Sequence, residues 1–152
     1  MANIEDFLQP AVNELKTLVQ SHSTGLDEVY LICCEIAYSQ VKNLCNREFL
    51  DASEAADNEE VYFDIVEGSL YPKGYPLVDV AKIEYWDGDE YDELDVDDDY
   101  RIPGNTNKIL FFAKSWSEIR LTYRYGYTAI NQNSVLQSAV VQQALMIFKK
   151  KD

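Results

Sequence analysis

The sequence predicts an α+β protein, a helical bundle of two N-terminal helices and one C-terminal helix with an inserted antiparallel β-sheet or small β-sandwich. Apolar residues recur at helical spacing near both chain ends, and they alternate with polar residues in the middle. With 152 residues, 47% of them hydrophobic, the chain can bury one core. We therefore expect a single domain, residues 1–152, in which helices at about 4–47 and 133–151 share one core around a β insert at about 59–127.

The N-terminal block predicts two helices separated by a polar turn. In the first helix, Pro10 fits the opening turn, because that position needs no backbone N–H. Asp27 can begin a second, longer helix. Neither helix can bury its apolar face alone, so we expect them to pack together. The predicted apolar face of the second helix contains Val29, Cys33, Ile36, Ala37, Val41 and Leu44.

The middle block predicts five or six short strands. Val61, Phe63 and Ile65 alternate with more polar neighbours, as in a half-buried strand. A second strand, Leu77 to Trp86, ends at Asp87-Gly88, which is a strong hairpin signal. The remaining predicted strands are Tyr100 to Ile102, Ile109 to Phe112 and Ile119 to Tyr125, followed by a turn at Gly126.

The last block, Asn133 to Lys151, predicts the closing helix. Its three terminal lysines lie where cations interact favourably with the helix dipole. The predicted apolar face consists of Val135, Leu136, Ala139, Val140, Leu145, Ile147 and Phe148.

Charge is unevenly distributed. The formal net charge is −14, yet residues 51–100 alone carry a balance of −16, from 18 acidic residues against Lys73 and Lys82. The rest of the chain has a balance of +2. An acidic field repels phosphate backbones, so the composition disfavours sequence-directed nucleic-acid binding.

The residue types that carry chemistry are scarce. The single histidine, His22, lies in a predicted polar turn, and Cys33, Cys34 and Cys45 lie in a predicted helix as buried apolar residues. The sequence contains neither a zinc-ligand spacing nor a phosphate-binding glycine motif. We therefore expect no catalytic, cofactor-binding or metal-binding residues, and no enzyme activity. Glu5 and Asp6 stand where a signal peptide carries basic charge, which predicts a cytoplasmic protein without membrane contact.

The acidic run from Asp87 to Asp99 is the best metal candidate, because oxygen-rich loops bind Ca²⁺. An EF-hand loop beginning at Asp87 would place Tyr91 at its fifth position and Asp92 at its sixth, where oxygen and glycine are needed. The favoured interpretation is a solvated hairpin and loop whose charges limit aggregation of sheet edges. Weak cation binding remains the alternative.

The order of three segments resembles the head–tail connector, or adaptor, family of tailed double-stranded DNA bacteriophages, in the form with a β insert between helices. The segments are a helix ending in Leu44 to Phe49, a strand from Tyr75 to Ile83, and a strand and turn from Ile119 to Tyr127 before a final helix. The resemblance runs from about Asp27 to the C-terminus.

The resemblance implies a structural role in head completion and viral assembly. Such proteins form a homo-oligomeric ring, usually of twelve copies, beneath the portal protein at the head–tail junction of the virion. The ring extends the DNA channel without sequence-specific DNA binding and docks a downstream tail or stopper protein. Assembly takes place in the host cytoplasm, and no cofactor or catalytic residue is implied.

For the interface we favour aromatic and apolar residues of the last strand and the last helix, with the basic C-terminal end. Each of these aromatic and apolar side chains could instead belong to the intramolecular core. The basic end could reach an acidic portal surface or a neighbouring subunit's acidic β region. The predicted interface residues are Tyr123, Tyr125, Tyr127, Leu145, Phe148, Lys149, Lys150 and Lys151.

A second hypothesis from a different class is an acidic DNA mimic that inhibits a host DNA-binding protein. A mimic is expected to place its acids in phosphate-like rows over its whole surface, whereas here they are confined to one block. Its binding to a basic host protein would depend steeply on salt. The remaining alternative is a small acidic hydrolase or a cation-binding module.

Overall fold

The computed structural model describes residues 3–19, 24–50, 58–66, 68–104, 107–112 and 115–150. Within these residues the fold is α+β, as the sequence predicts. The helices are α1 (Ile4–Leu18), α2 (Asp27–Cys45) and α3 (Ser134–Lys150). Between α2 and α3 lie the strands β1 (Glu59–Val66), β2 (Ser69–Leu70), β3 (Leu77–Trp86), β4 (Tyr91–Glu93), β5 (Tyr100–Arg101), β6 (Ile109–Phe111) and β7 (Ser115–Tyr125).

Helix α1 begins six residues before Pro10, so the prediction that Pro10 occupies the first turn is wrong. The helix begins early because Asn3 caps it: its side-chain oxygen accepts the N–H of Glu5 at 3.0 Å, and its carbonyl accepts the N–H of Phe7 at 2.9 Å. Phe7 and Leu8 are fully buried, which ties this first turn to the core. Pro10 is therefore accommodated inside the helix, without an N–H to give to the preceding turn.

Helix α2 begins at Asp27 as predicted, but its buried face is rotated from the predicted one. Cys33 and Ala37 are buried as expected, whereas Ile36 is 41% exposed and Leu44 is 87% exposed. The prediction for these two residues is wrong because α1 and α3 pack on the neighbouring side of the helix. That side carries Tyr30, Cys33, Cys34, Ala37 and Tyr38.

The cysteines separate into two environments. Cys33 and Cys34 are completely buried, and burial raises the pKa of the Cys34 thiol to about 12. Cys45 is exposed, which contradicts the prediction that all three cysteines are buried. It is the last residue of α2, immediately before Asn46 turns the chain in a left-handed conformation at φ 51°. No helix packs over it among the described residues.

Helix α3 is preceded by Asn133, whose side-chain oxygen accepts the N–H of Leu136 at 3.1 Å. The predicted apolar face is wrong at Val135, which is 78% exposed, and at Ala139, which is also exposed. The buried positions are Leu136, Val140, Val141 and Ala144. Helices α1, α2 and α3 each pack against the other two, so helices from both chain ends share one core. None of the helices described is long and apolar enough to cross a membrane.

The strands form two antiparallel sheets with the orders β1-β7-β3-β4 and β2-β6-β5. Buried side chains of both sheets make one apolar cluster, which includes Ile83, Leu121 and Tyr123 from the first sheet and Ile109 and Phe111 from the second. Strand β3 has the predicted bounds, and the hairpin after Trp86 joins it to β4. The sequence did not predict β2 or β4, which are only two and three residues long.

By its internal contacts the chain divides into two compact units, one containing the three helices and one running from Ala52 to Gly126. The first is called here the helical unit and the second the β unit. Gly126, which ends the β unit, has φ 98° and donates its N–H to the carbonyl of Pro76 at 3.0 Å, in agreement with the predicted turn. The expectation that both behave as a single domain stays a prediction.

Candidate interaction surfaces

One face of the four-stranded sheet points away from the β-unit core. Residues directly opposite each other in antiparallel strands point to the same side. The register therefore places Val61, Arg120 and Glu84 in one row, because Arg120 lies opposite both of the others. The next row contains Phe63, paired with Glu118, and Trp86, paired with Tyr91. We call this surface the sheet face and define it by Val61, Phe63, Glu84, Trp86, Tyr91, Glu118 and Arg120.

Arg120 is the centre of the sheet face. Its guanidinium donates two hydrogen bonds to the Glu84 carboxylate, from Nε at 2.9 Å and from Nη2 at 2.8 Å. It also lies 4.0 Å from the centre of the Tyr91 ring, in a cation–π arrangement. The Tyr91 hydroxyl in turn donates to Glu118. These contacts hold the Arg120 cation against the Glu84 carboxylate and the Tyr91 ring, whose hydroxyl is bonded to a second carboxylate.

The protonation equilibria reflect this arrangement. The hydrogen bonds from Arg120 keep the pKa of Glu84 below its ordinary value, and the same bonds raise the pKa of Arg120. The hydrogen bond to Glu118 raises the pKa of Tyr91. At neutral pH the pair is therefore fully ionised, and Lys82 adds a second cation 3.5 Å from the same carboxylate.

Apolar side chains stand exposed beside this ionic centre. Phe63 is 66% exposed and Val61 is 43% exposed, both on β1, and Trp86 packs its ring against Tyr91. Aromatic residues and arginine are the types that dominate protein–protein interfaces energetically. The sheet face thus combines residue types that are common in protein–protein interfaces with the strongly acidic composition of residues 51–100.

The predicted metal candidate contains one spatial cluster. Carboxylate oxygens of Asp87, Glu90 and Asp92 lie within 4.8 Å of one another at the β3–β4 hairpin. The Asp87 side chain accepts the N–H groups of Asp89 at 2.8 Å and Glu90 at 2.9 Å, and the latter bond is the main cause of its lowered pKa. The pKa of Asp92 is raised by its hydrogen bond with Asp87. Asp87 and Glu90 are exposed and Asp92 is half-buried, and one oxygen from each carboxylate supplies three of the six to eight oxygens that Ca²⁺ takes.

The helical unit exposes a surface of a different kind, formed by one side of α2 and one side of α3. On α2 the residues recur every four positions, and on α3 they follow the same helical spacing. The side chains of Gln40 and Gln143 join the two helices through a hydrogen bond of 2.6 Å. We call this surface the helical face and define it by Ile32, Ile36, Gln40 and Leu44 of α2 and Val135, Ala139, Gln143 and Met146 of α3.

None of the eight side chains of the helical face is charged, and seven are exposed. Leu44 is 87% exposed, Val135 78% and Met146 55%. One feature of the sequence indicates this surface on α3: no residue from Tyr125 to Phe148 is charged. Apolar spacing alone does not reveal it. The predicted interface does not include these residues. Four of them belong to the apolar faces that the sequence predicts to be buried, namely Ile36, Leu44, Val135 and Ala139.

The predicted interface residues of α3 lie at its C-terminal end. Leu145 and Phe148 are half-buried, and the Phe148 ring lies 5.3 Å from that of Tyr30 between ring centres. Lys149 and Lys150 are exposed, and the salt bridges of the described part of the chain do not include them. Lys151 lies outside the described residues, as does His22.

The three predicted interface tyrosines occupy different positions. Tyr123 is completely buried in the β-unit core, and its hydroxyl accepts the N–H of Gly74 at 2.8 Å, so it has no exposed surface to offer a partner. Tyr125 is half-buried, with its ring 5.0 Å from that of Tyr123. Tyr127 is also half-buried, and its hydroxyl accepts a hydrogen bond of 3.1 Å from Asn133. Interface roles for Tyr125 and Tyr127 stay predictions.

Comparison with known proteins adds no assignment: the sequence matches neither a protein-family model nor a curated protein.

Proposed function

We propose that this chain is a head–tail connector protein of a tailed double-stranded DNA bacteriophage. In this proposal, copies of the chain form a ring beneath the portal, extend the DNA channel and dock the next tail component. The proposal rests first on the sequence resemblance described above. The structural observation that supports it best is the presence of two exposed surfaces of contrasting chemistry, the uncharged helical face and the ionic, aromatic sheet face.

An adaptor needs separate surfaces because it contacts more than one protein at once. The helical face offers apolar and amide groups without charge, whereas the sheet face exposes Phe63 and Trp86 within an acidic region. Its central cation, Arg120, is half-buried and is paired with buried Glu84. Partners that suit one surface do not suit the other, because a desolvated charge needs a matching charge. The acidity of residues 51–100 also suits a channel that must not grip DNA phosphates.

The decisive experiment combines the purified chain with the portal protein encoded in the same genome and images the product by electron microscopy. A ring of this chain stacked on the portal is the expected result. Failure to associate with the portal at concentrations of about 10 μM, where a micromolar complex is populated, would overturn the proposal.

The basic end supplies a finer test. Lys149 and Lys150 are exposed cations at the end of α3, and Lys151 follows them in the sequence. If they contact an acidic portal surface or an acidic neighbouring subunit, Lys149→Gln with Lys150→Gln weakens portal binding, and the loss shrinks at high salt. The matched control is Lys73→Gln with Lys108→Gln, which removes the same charge from the β unit. Equal binding by both variants would remove the role of the basic end.

The DNA-mimic alternative predicts a different pattern. The purified chain would then bind a basic host DNA-binding protein and displace DNA from it, with an affinity that falls steeply as salt rises. A chain that shows this behaviour and ignores the portal belongs to the second class.

A further inference from the structure

We propose that β1 is a docking edge, to which an extended segment of another protein adds as a further strand of the four-stranded sheet. The segment carries lysine or arginine beside apolar residues. The proposal names a binding mode and the chemistry of a partner, and it does not depend on the connector assignment. It rests on the position of β1 in the sheet, the direction of its backbone groups and its charge.

Strand β1 is an edge of the four-stranded sheet. The order β1-β7-β3-β4 gives it β7 as a neighbour on one side, and no strand among the described residues pairs with its other side. Edge strands are usually protected from pairing by short length, proline or lysine. Strand β1 is eight residues long and contains neither proline nor lysine. Its outward N–H and C=O groups are therefore a template for an added strand.

The pairing with β7 determines which backbone groups of β1 face outward. The N–H of Tyr123 donates to the carbonyl of Asn58 at 3.1 Å, which makes the pair immediately before β1 a hydrogen-bonded one. Hydrogen-bonded and non-hydrogen-bonded pairs alternate along an antiparallel ladder. In the register that follows, Glu60 and Tyr62 therefore bond to β7. The residues beside them point their N–H and C=O groups away from β7. We call these residues the β1 edge, and they are Glu59, Val61 and Phe63.

Two side chains of the β1 edge belong to the sheet face and are apolar. Val61 is 43% exposed and Phe63 is 66% exposed. An added strand would place residues directly opposite these two side chains, where β-branched and aromatic pairs stabilise a sheet. Beyond Phe63, Asp64 has φ 53° and interrupts the regular strand conformation. The site therefore spans Glu59 to Phe63 and favours apolar residues opposite Val61 and Phe63.

Charge selects the partner. Strand β1 carries Glu59, Glu60 and Asp64 and no basic residue, and the salt bridges of the described residues include none of these acids. Like charges opposite one another destabilise a sheet, so β1 of a second copy is a poor occupant. Lysine or arginine opposite Glu59 and Glu60 is favourable instead. The same acids repel nucleic acid, and a lipid surface offers no backbone to which the β1 edge can bond. An extended segment with basic and apolar residues is the occupant that fits.

The test measures amide hydrogen exchange in the isotope-labelled full chain by NMR. In the free chain, the amides of Glu60 and Tyr62 should exchange slowly and those of the β1 edge rapidly, because only the former bond to β7. The probe is a synthetic peptide of alternating threonine and valine followed by lysine and arginine. It is added at about 1 mM, where a complex with a millimolar dissociation constant is about half formed. Exchange at the β1 edge should then slow by about twofold or more.

Val61→Pro removes one outward N–H without removing a hydrogen bond to β7, and proline is tolerated on edge strands at positions whose N–H faces solvent. We expect this variant to bind the peptide at least tenfold more weakly. The matched control, Val61→Thr, keeps the N–H and a β-branched side chain and should bind like the unmodified chain. Circular dichroism checks that both variants keep their fold.

The peptide offers a second way to break the same ladder, should Val61→Pro not fold. Methylation of the peptide's backbone nitrogens that face β1 removes their N–H groups and should abolish binding. Methylation of the intervening nitrogens, which face away from β1, should leave binding nearly unchanged.

Glu59→Lys tests the charge of the partner. This variant should bind the basic peptide more weakly, and it should bind more tightly a peptide in which glutamates replace the lysine and arginine. The matched control is Asp98→Lys, which makes the same charge change at an exposed position of the β unit outside β1 and should alter both affinities little. Added salt should weaken the complex of the unmodified chain with the basic peptide.

Any of three results contradicts the proposal. Slow exchange at the β1 edge in the free chain means that the edge is already covered, by a second copy if the rate depends on protein concentration and by the chain itself if it does not. Unchanged exchange at about 1 mM peptide, or equal binding by Val61→Pro and Val61→Thr, excludes strand addition. None of these results involves the portal. A chain that binds the peptide but forms no ring on the portal loses only the connector assignment, and a chain that forms the ring but ignores the peptide loses only this proposal.

Discussion

The helical unit and the β unit handle their exposed surfaces in opposite ways. The helical unit leaves Leu44, Val135 and Met146 bare on a surface without charge. The β unit places its exposed Phe63 on the same sheet face as the Arg120–Glu84 ion pair, in a region with an excess of acid. The comparison shows that a strong net charge need not make a whole surface polar, because this protein confines its acidity to one region. Two kinds of contact can therefore coexist in one small chain.

The largest expected effect is a difference in the free energy of unfolding between substitutions on the buried and exposed sides of α3. Val140 is completely buried, so Val140→Ala should lower the free energy of unfolding by about 2–3 kcal/mol through lost apolar burial and a residual cavity. Val135→Ala should change it by less than about 0.5 kcal/mol, because Val135 is 78% exposed and alanine favours the helix. Urea unfolding of both variants measures the difference. Equal losses would mean that the helical face is covered within the chain.

A second experiment makes the matching test in the β unit. A Cβ atom at Gly74 would collide with the ring of Tyr125, whereas one at Gly104 would meet no atom within 4 Å. Gly74→Ala should therefore cost about 1–3 kcal/mol by overpacking, since Tyr125 must move from its place beside Tyr123. Gly104→Ala should cost less than about 0.5 kcal/mol. Unfolding monitored by tyrosine and tryptophan fluorescence compares the two, and similar costs would contradict this packing.

The ionic centre of the sheet face predicts a smaller, pH-dependent effect. Glu84→Gln should lower stability by about 1–2 kcal/mol at pH 7, because it replaces charge-assisted hydrogen bonds to Arg120 with weaker ones. The folded-state pKa of Glu84 is lowered, so its contribution is present above the unfolded value of about 4.3 and disappears as pH falls through the folded value. The two proteins should therefore converge in stability at acid pH. A difference that is constant from pH 7 to pH 3 would exclude this explanation.

The mildest test uses the cysteines. A thiol reagent at pH 8 should modify one cysteine of the folded protein, Cys45, because Cys33 and Cys34 are buried and the pKa of the Cys34 thiol is raised to about 12. All three should react after unfolding. The Cys34 thiol has its ordinary pKa in the unfolded chain and a raised pKa in the folded protein. The free energy of unfolding should therefore also decline between about pH 9 and pH 12. Rapid modification of all three residues without denaturant would refute the burial of α2.

Much of the fold could be predicted because its signals are local. The bounds of β3 follow from alternation and turn residues, and the start of α2 at Asp27 follows from an acidic residue in the first turn. The early start of α1 has a signal too, since Asn3 is a good capping residue followed by acids, but Pro10 is typical of a first turn and favours a later start. The short strands β2 and β4 had no comparable signal, because two or three residues pair only where tertiary contacts hold them.

The candidate surfaces were harder to predict than the elements that carry them. The sheet face depends on register, because Val61, Arg120 and Glu84 lie far apart in sequence and meet only when three strands align. The helical face depends on which side of α2 and α3 the other helices cover. Of the predicted interface residues, Tyr123 had the pattern of an interface strand but lies in the core, since alternation alone does not say which face is outward.

The sequence by itself determined the kinds and order of the elements, the concentration of acid in residues 51–100, and the uncharged run from Tyr125 to Phe148. Tertiary structure decided which apolar residues are buried. On α2, apolar side chains cover more than half of the circumference near Tyr30 and Ile36, so helical spacing allows several orientations. Packing against α1 and α3 selects one of them, and the remaining apolar residues become the surface.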